Sequence, residues 1–337
     1  MVKAKTKNTA EEDRSRSSRI KIKVLNIQGL TKVKYGEVLE MVKDNSILCL
    51  TETQKKVRDI NISKEIIVME SMRDQKDKKG GGIMVLYKDS KEIELKKIDC
   101  KNKDLLQLKG SIYGEKTLIL VVYFAVNDKE RNKRIKEEIE SIIDDEEEAV
   151  ILTGDFNGHT GLQGTQRVDE NGRVILEWME KYKMILLNED ERCEGVYTWS
   201  RNDQRSVIDY ALVSQKMYDR VTKIRIDEDK ELCDLSDHNM IEIEVAIKAE
   251  SKKQYKGWIT KEYYCKNDKA MEEFSREMKS KVEIEKPKDM KELNDIMKST
   301  ADKVLKRKYR RRVEDEAAIE EPPWMTEEIR DGIRRRK

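Results

Sequence analysis

The chain has 337 residues, 41% charged and 37% apolar, and its 70 basic and 68 acidic side chains leave a net charge of only +2. That balance excludes attraction to nucleic acid by bulk charge, so any such affinity must come from a local patch. Five scattered cysteines without a Cys-x-x-Cys pair, a Lys/Arg/Ser-rich start and no run near the ~18 apolar residues of a membrane span point to an intracellular protein with reduced thiols and no membrane partner.

Residues 1–18 are polar and aperiodic and read as a disordered basic arm. From Arg19 strand-like and helix-like segments alternate. Ile20–Asn26 reads as a strand, Val33–Lys43 as an amphipathic helix and Ser46–Thr51 as a short buried strand in which Cys49 is a small core residue. Gly80-Gly81-Gly82 opens a strand at Ile83–Tyr87; it lacks the Lys-Ser/Thr of a phosphate loop and reads as a turn or a close strand crossing. Further strands are expected at Glu92–Ile98, Leu105–Ile112 and Thr117–Tyr123, and a charged helix at Asp128–Ile143. Ala149–Thr153, Tyr197–Ser200, Val207–Val213 and Met240–Ile247 complete the strands, with a helix near Arg173–Tyr182. Many strands with few long helices predict an α/β chain of two sheets packed face to face, helices outside.

Composition shifts near Glu250. Residues 250–337 hold all three prolines and read as a charged helical extension with polar linkers. The extension carries the basic block Lys306, Arg307, Lys308, Tyr309, Arg310, Arg311 and Arg312. Its basic residues suit nucleic-acid phosphates; a solvated linker or a nuclear-import signal has the same composition.

Polar residues recur at the exits of the apolar runs. Gly154-Asp155-Phe156-Asn157 places an acid and an amide at alternate positions after a buried strand, where they can share a face. Asp209 interrupts an apolar strand, where a carboxylate without a partner would be costly. His238, one of only two histidines, follows Asp237; a histidine suits proton transfer near neutral pH when a carboxylate orients it. Asn26 and Glu52 end two other runs, and Tyr123 a third, where it either bonds a phosphate or packs at the sheet edge. These oxygen donors, without thiolates, match Mg2+ or Mn2+ rather than zinc. Taken singly, each is as compatible with a strand-end turn or a satisfied buried group.

In this order the motifs resemble the endonuclease/exonuclease/phosphatase superfamily over residues 19–249, and within it the apurinic-like endonuclease domain of non-LTR (LINE-type) retrotransposons. The likeness rests on Gly154-Asp155-Phe156-Asn157-Gly158-His159-Thr160-Gly161, Tyr197-Thr198-Trp199, Ser206-Val207-Ile208-Asp209-Tyr210 and Ser236-Asp237-His238, with a connector-like tail from Pro323 to Lys337. The resemblance implies a four-layer α/β/β/α sandwich and a metal-dependent DNA endonuclease leaving a 3′-hydroxyl and a 5′-phosphate. By the same resemblance Glu52, Asn26 and Asp237 serve the metal, and Asp155 and Asn157 position or deprotonate water. Tyr123 stabilises the transition state, and His238 paired with Asp209 holds the phosphate or acts as base. The implied partners are DNA and a reverse transcriptase supplied by a longer polyprotein or in trans, and the implied location is the nucleus. Gln28 stands where relatives commonly carry Asp or Asn, and Ser206 where many repair enzymes carry a Trp, which favours nicking over repair. The alternatives are a phosphohydrolase of RNA, phosphoinositides or sphingolipids, or an inactive nucleic-acid-binding remnant.

Overall fold

Two parallel crossovers organise the larger part of the chain. In the computed structural model, which describes residues 19–42, 45–54, 63–73, 80–144, 148–162, 167–247, 257–264 and 268–313, β1 (Arg19–Asn26) and β2 (Ser46–Thr51) run parallel with α1 (Lys32–Met41) between them. The expected arm, Cys265 and the connector-like tail lie outside the described residues. Strand β3 (Ile66–Ser71), not expected from the sequence, pairs antiparallel with β4 (Ile83–Lys88), which pairs in turn with β2. The other sheet is a meander of β5 (Ile93–Ile98), β6 (Leu105–Ile112) and β7 (Glu115–Tyr123). Helix α2 (Lys129–Asp144) then carries the chain to β8 (Ala149–Asp155), parallel to β7.

After α3 (Glu170–Lys181) come the short strands β9 (Ile185–Leu186) and β10 (Cys193–Glu194), then the hairpin β11 (Trp199–Arg201) and β12 (Gln204–Ser206). Strand β13 (Asp209–Val213), the short helix α4 (Gln215–Tyr218), β14 (Val221–Ile226) and β15 (Ile241–Ala246) complete this unit. The two large sheets have the orders β10-β14-β15-β1-β2-β4-β3 and β5-β6-β7-β8-β13-β9.

Burial explains the sequence patterns. Every residue of β8 and β2 is buried, as expected of central strands covered on both faces. Strand β1 alternates instead, and its outward Arg19 and Lys21 pair with Glu244 and Glu242 of β15 at 3.3 and 3.0 Å. Much of the 41% charge is spent on such solvent faces. Helix α2 sinks Ile135, Ile139 and Ile143 at i, i+4, i+8 spacing, each contributing about 1.5–3 kcal/mol of burial. Cys49 is fully buried, which pushes its thiol up to about 12 and leaves it inert.

A second compact unit begins at Tyr255. It contains β16 (Gly257–Tyr264), α5 (Asp268–Glu285), α6 (Met290–Val304) and β17 (Lys306–Val313). The two helices match the expected helical extension, but the basic block is a strand, not a linker, paired antiparallel with β16 over eight register positions. The β-branched and aromatic residues of Gly257–Tyr264 supply the partner that this charged run lacks by itself.

Candidate active site

Strand polarity gathers the motif residues at one end of both sheets. Asn26 ends β1 and Glu52 follows the last residue of β2; in register Asn26 lies opposite Thr51. Tyr123 ends β7, Asp155 ends β8, and these two are register partners. Asp209 opens antiparallel β13 directly opposite Asp155. His238 forms an isolated bridge with Trp199, just ahead of β15, whose Ile241 pairs with Val24. Six sequence-distant residues are thus brought to one edge.

Asp155 is at the centre, fully buried. Its Oδ1 accepts from the Asn157 backbone N–H at 2.9 Å, and its Oδ2 from the side-chain amides of Asn26 at 2.8 Å and Asn157 at 3.1 Å. The Asn26 amide also donates to Glu52 Oε1 at 3.2 Å. Burial first, then the Asp209 carboxylate, push the Asp155 carboxyl up to about 8, against the opposing influence of His238 and these donors. His238 Nδ1 lies 2.8 Å from Asp209 Oδ2. Burial alone would lower the imidazole, but the carboxylates of Asp209, Asp155 and Asp237 outweigh it and carry it up to about 9. Asp209 is held by Thr198, whose Oγ1 accepts the backbone N–H groups of Ile208 and Asp209, both at 2.9 Å.

Tyr123 is buried; burial, then the charges of Glu52 and Asp155, raise the phenol far above its ordinary range, so it stays protonated. It is packed at the end of β7, in register with Asp155. Gln28 is exposed with φ +49°, and its backbone N–H, not its amide, engages the site by donating to Asn26 Oδ1 at 3.0 Å. Glu52 and Asn157 also adopt left-handed φ of 52° and 43°, uncommon strain that clusters where side chains are aimed at a site.

Several supports escaped the sequence reading. Asn171 donates to the carbonyls of Phe156 and Asn157 at 3.0 and 3.1 Å and accepts from Asn132 at 3.1 Å, bracing the loop from behind. Lys230 reaches the carbonyls of Ser236 and His238 at 2.7 and 2.6 Å. His159 is tied to Asp169 and Ser206, each at 2.8 Å, and so links the start of α3 to the β11–β12 hairpin. None of these types differs in sequence from ordinary surface polar residues; only the His159 motif stood out.

The donor set suits a hard divalent cation. Asp209 Oδ1 and Asp237 Oδ1 are buried with no hydrogen-bond partner among the described residues, and Asp237 Oδ1 lies 3.9 Å from His238 Nε2. Asp155, Asp209 and His238 each offer a ligand atom within 4.8 Å of the others. Carboxylate oxygens left unsatisfied inside a protein call for a proton or a cation.

The comparisons with known proteins agree with this architecture. Residues 117–242 match the family model described as endonuclease-reverse transcriptase. The endonuclease domain of TRAS1, a telomere-specific non-LTR retrotransposon, superposes with TM-score 0.53 at 17% identity, covering 68% of this chain and 99% of that one. The chain has an endonuclease/exonuclease/phosphatase-type fold. The 3′ phosphatase NExo from Neisseria, bound to product DNA hairpin, has a similar fold at TM-score 0.51 and 15% identity, over 68% of this chain and 99% of that one. The 3′–5′ exonuclease NExo from Neisseria meningitidis does so at 0.50 and 16%, over 67% and 99%. At these identities the structural likeness is one of fold. No curated protein matches the sequence.

Proposed function

We propose that the protein is a divalent-metal-dependent DNA endonuclease that nicks one strand and leaves a 3′-hydroxyl and a 5′-phosphate. The observation that carries the reading is the meeting of Asp155 with the Asp209–His238 pair at the shared end of both sheets, under the amides of Asn26 and Asn157. In its ionised form, made more basic by the raised pKa, Asp155 takes the proton of the attacking water, which Asn157 orients. His238, kept protonated and aligned by Asp209, donates Nε2–H to a non-bridging phosphate oxygen. Tyr123 donates toward the leaving side. Attack at phosphorus breaks the bond to the 3′-oxygen, which departs with a proton. Glu52, Asn26 and Asp237 would hold Mg2+ or Mn2+, which when bound supplies Lewis-acid polarisation of the phosphate.

The nick would expose a 3′-hydroxyl primer for a reverse transcriptase carried by a longer polyprotein or supplied in trans, in the nucleus. The family match over residues 117–242 and the TRAS1 likeness support that use. We assign duplex contact to the basic block of β17. The test is nicking of supercoiled plasmid with Mg2+ and Mn2+, with EDTA and Glu52→Gln as controls. Metal-dependent conversion to open circle, lost in both controls, is expected. Absence of conversion by folded protein, with turnover of an RNA, phosphoinositide or sphingolipid substrate, overturns it.

A further inference from the structure

Beside the site lies an arginine to which the proposed chemistry gives no role. Arg73, just after β3, is nine-tenths buried. Its Nε donates to Asp104 Oδ1 at 2.6 Å and its Nη1 to the Gly80 carbonyl at 3.4 Å, while Arg131 approaches Asp104 Oδ2 at 3.5 Å. The guanidinium carbon lies 5.4 Å from the centroid of the Tyr123 ring, and the Asp104 carbonyl accepts the Tyr123 backbone N–H at 3.0 Å. One aspartate thus holds both the arginine and the tyrosine.

The glycine triplet is shaped around this arrangement. All three glycines have left-handed φ, between 84° and 98°. A Cβ on Gly81 would fall 2.6 Å from Arg73 Nε, and one on Gly80 3.3 Å from the Tyr123 hydroxyl. The close crossing expected of Gly80-Gly81-Gly82 is therefore made to a guanidinium and a phenol. Arg73 Nη2 stays buried with no partner among the described residues.

We propose that Arg73 is a positioning residue for the proposed phosphodiester cleavage: clamped by Asp104 and cradled by the triplet, it fixes the Tyr123 ring and so holds the hydroxyl in place at the site. This rests on the phosphodiesterase reading given above. A flat guanidinium is required, since lysine offers neither the stacking plane nor the fork of donors.

The experiment is a double-mutant cycle on the full chain, with kcat and KM for plasmid nicking measured in wild type, Arg73→Ala, Tyr123→Phe and the double variant. The Mn2+ dissociation constant, read by electron paramagnetic resonance without DNA, is a second readout. Arg73→Ala is expected to lower kcat about 10–10²-fold with KM within about threefold, because small misplacements at a reacting centre cost that much. In the Tyr123→Phe background the same change should cost no more than about threefold, and the Mn2+ constants should show the same lack of additivity. Losses that multiply in the double variant, or an unchanged kcat in Arg73→Ala, overturn the inference. Should Arg73→Ala not fold, Arg73→Lys enters the same cycle, and additive losses count against the inference equally. Wild-type protein that is folded but cuts no DNA removes the parent reading; active wild type with an indifferent Arg73 removes only this one.

Discussion

Asp155 shows how burial of a single carboxyl makes stability depend on pH. Its carboxyl is displaced upward from 3.8 to about 8 by burial and by Asp209, so between those values the folded protein holds a proton that the unfolded chain has released. Stability therefore falls as pH rises from about 4 to about 8. His238, raised from 6.5 to about 9, adds to the same trend: its contribution is complete below 6.5 and is lost as pH rises through about 9. Asp155→Asn removes the first effect and weakens the second. In EDTA, the fall in thermal midpoint between pH 6 and pH 9 should be smaller in Asp155→Asn than in wild type, while its nicking rate drops at least ~10²-fold. An equal fall in both proteins would show that Asp155 titrates normally. The residue types at this site were legible because each interrupted an apolar run. Their partners were not: nothing in the sequence says that Asn26 bonds Asp155, 129 positions away, or that Arg73 lies over the Tyr123 ring.

Element by element, the strands that carry the site were read within a residue or two because their apolar runs are long and buried on both faces. Strand β3 was missed. None of its residues is buried except Ser71, and its pairing partner β4 lies in a separate segment of the chain. The strand character of β17 is hidden for a related reason, since six basic residues around Tyr309 have no strand pattern until Gly257–Tyr264 pairs with them. The join between β7 and β8 depends on Gly154, which has φ +138° and whose added Cβ would fall 2.0 Å from the Val122 carbonyl oxygen. Gly154→Ala should destabilise the protein by at least about 2 kcal/mol, from left-handed strain and a displaced ladder. Chemical denaturation checks this; a loss below about 0.5 kcal/mol would mean the β7–β8 ladder moves freely.

At the scale of the molecule, a net charge of +2 requires DNA affinity to be local. Strand β17 is the densest run of positive charge among the described residues. Replacing Lys308, Arg310, Arg311 and Arg312 with glutamine in the full chain should flatten the slope of log binding constant against log salt by roughly 0.9 for each phosphate that is no longer neutralised. A slope equal to wild type would assign phosphate binding to the sandwich alone. Nicking of bound plasmid at saturating protein should be little changed, since these residues belong to the unit beginning at Tyr255 and not to the catalytic cluster.

The alternation of buried runs and helical periods was enough to define a two-sheet α/β class, because burial periodicity is a local property that each segment carries alone. The order of polar residues at the run ends likewise pointed to one phosphodiester-cleaving inventory. Which of those residues touch, which carboxyl is held protonated, and why three glycines precede β4 were decided by strand register and by the packing of Arg73, Asp104 and Tyr123. Close approaches, desolvation and coupled charges exist only between segments far apart in the chain, so they appear only once the chain has closed on itself.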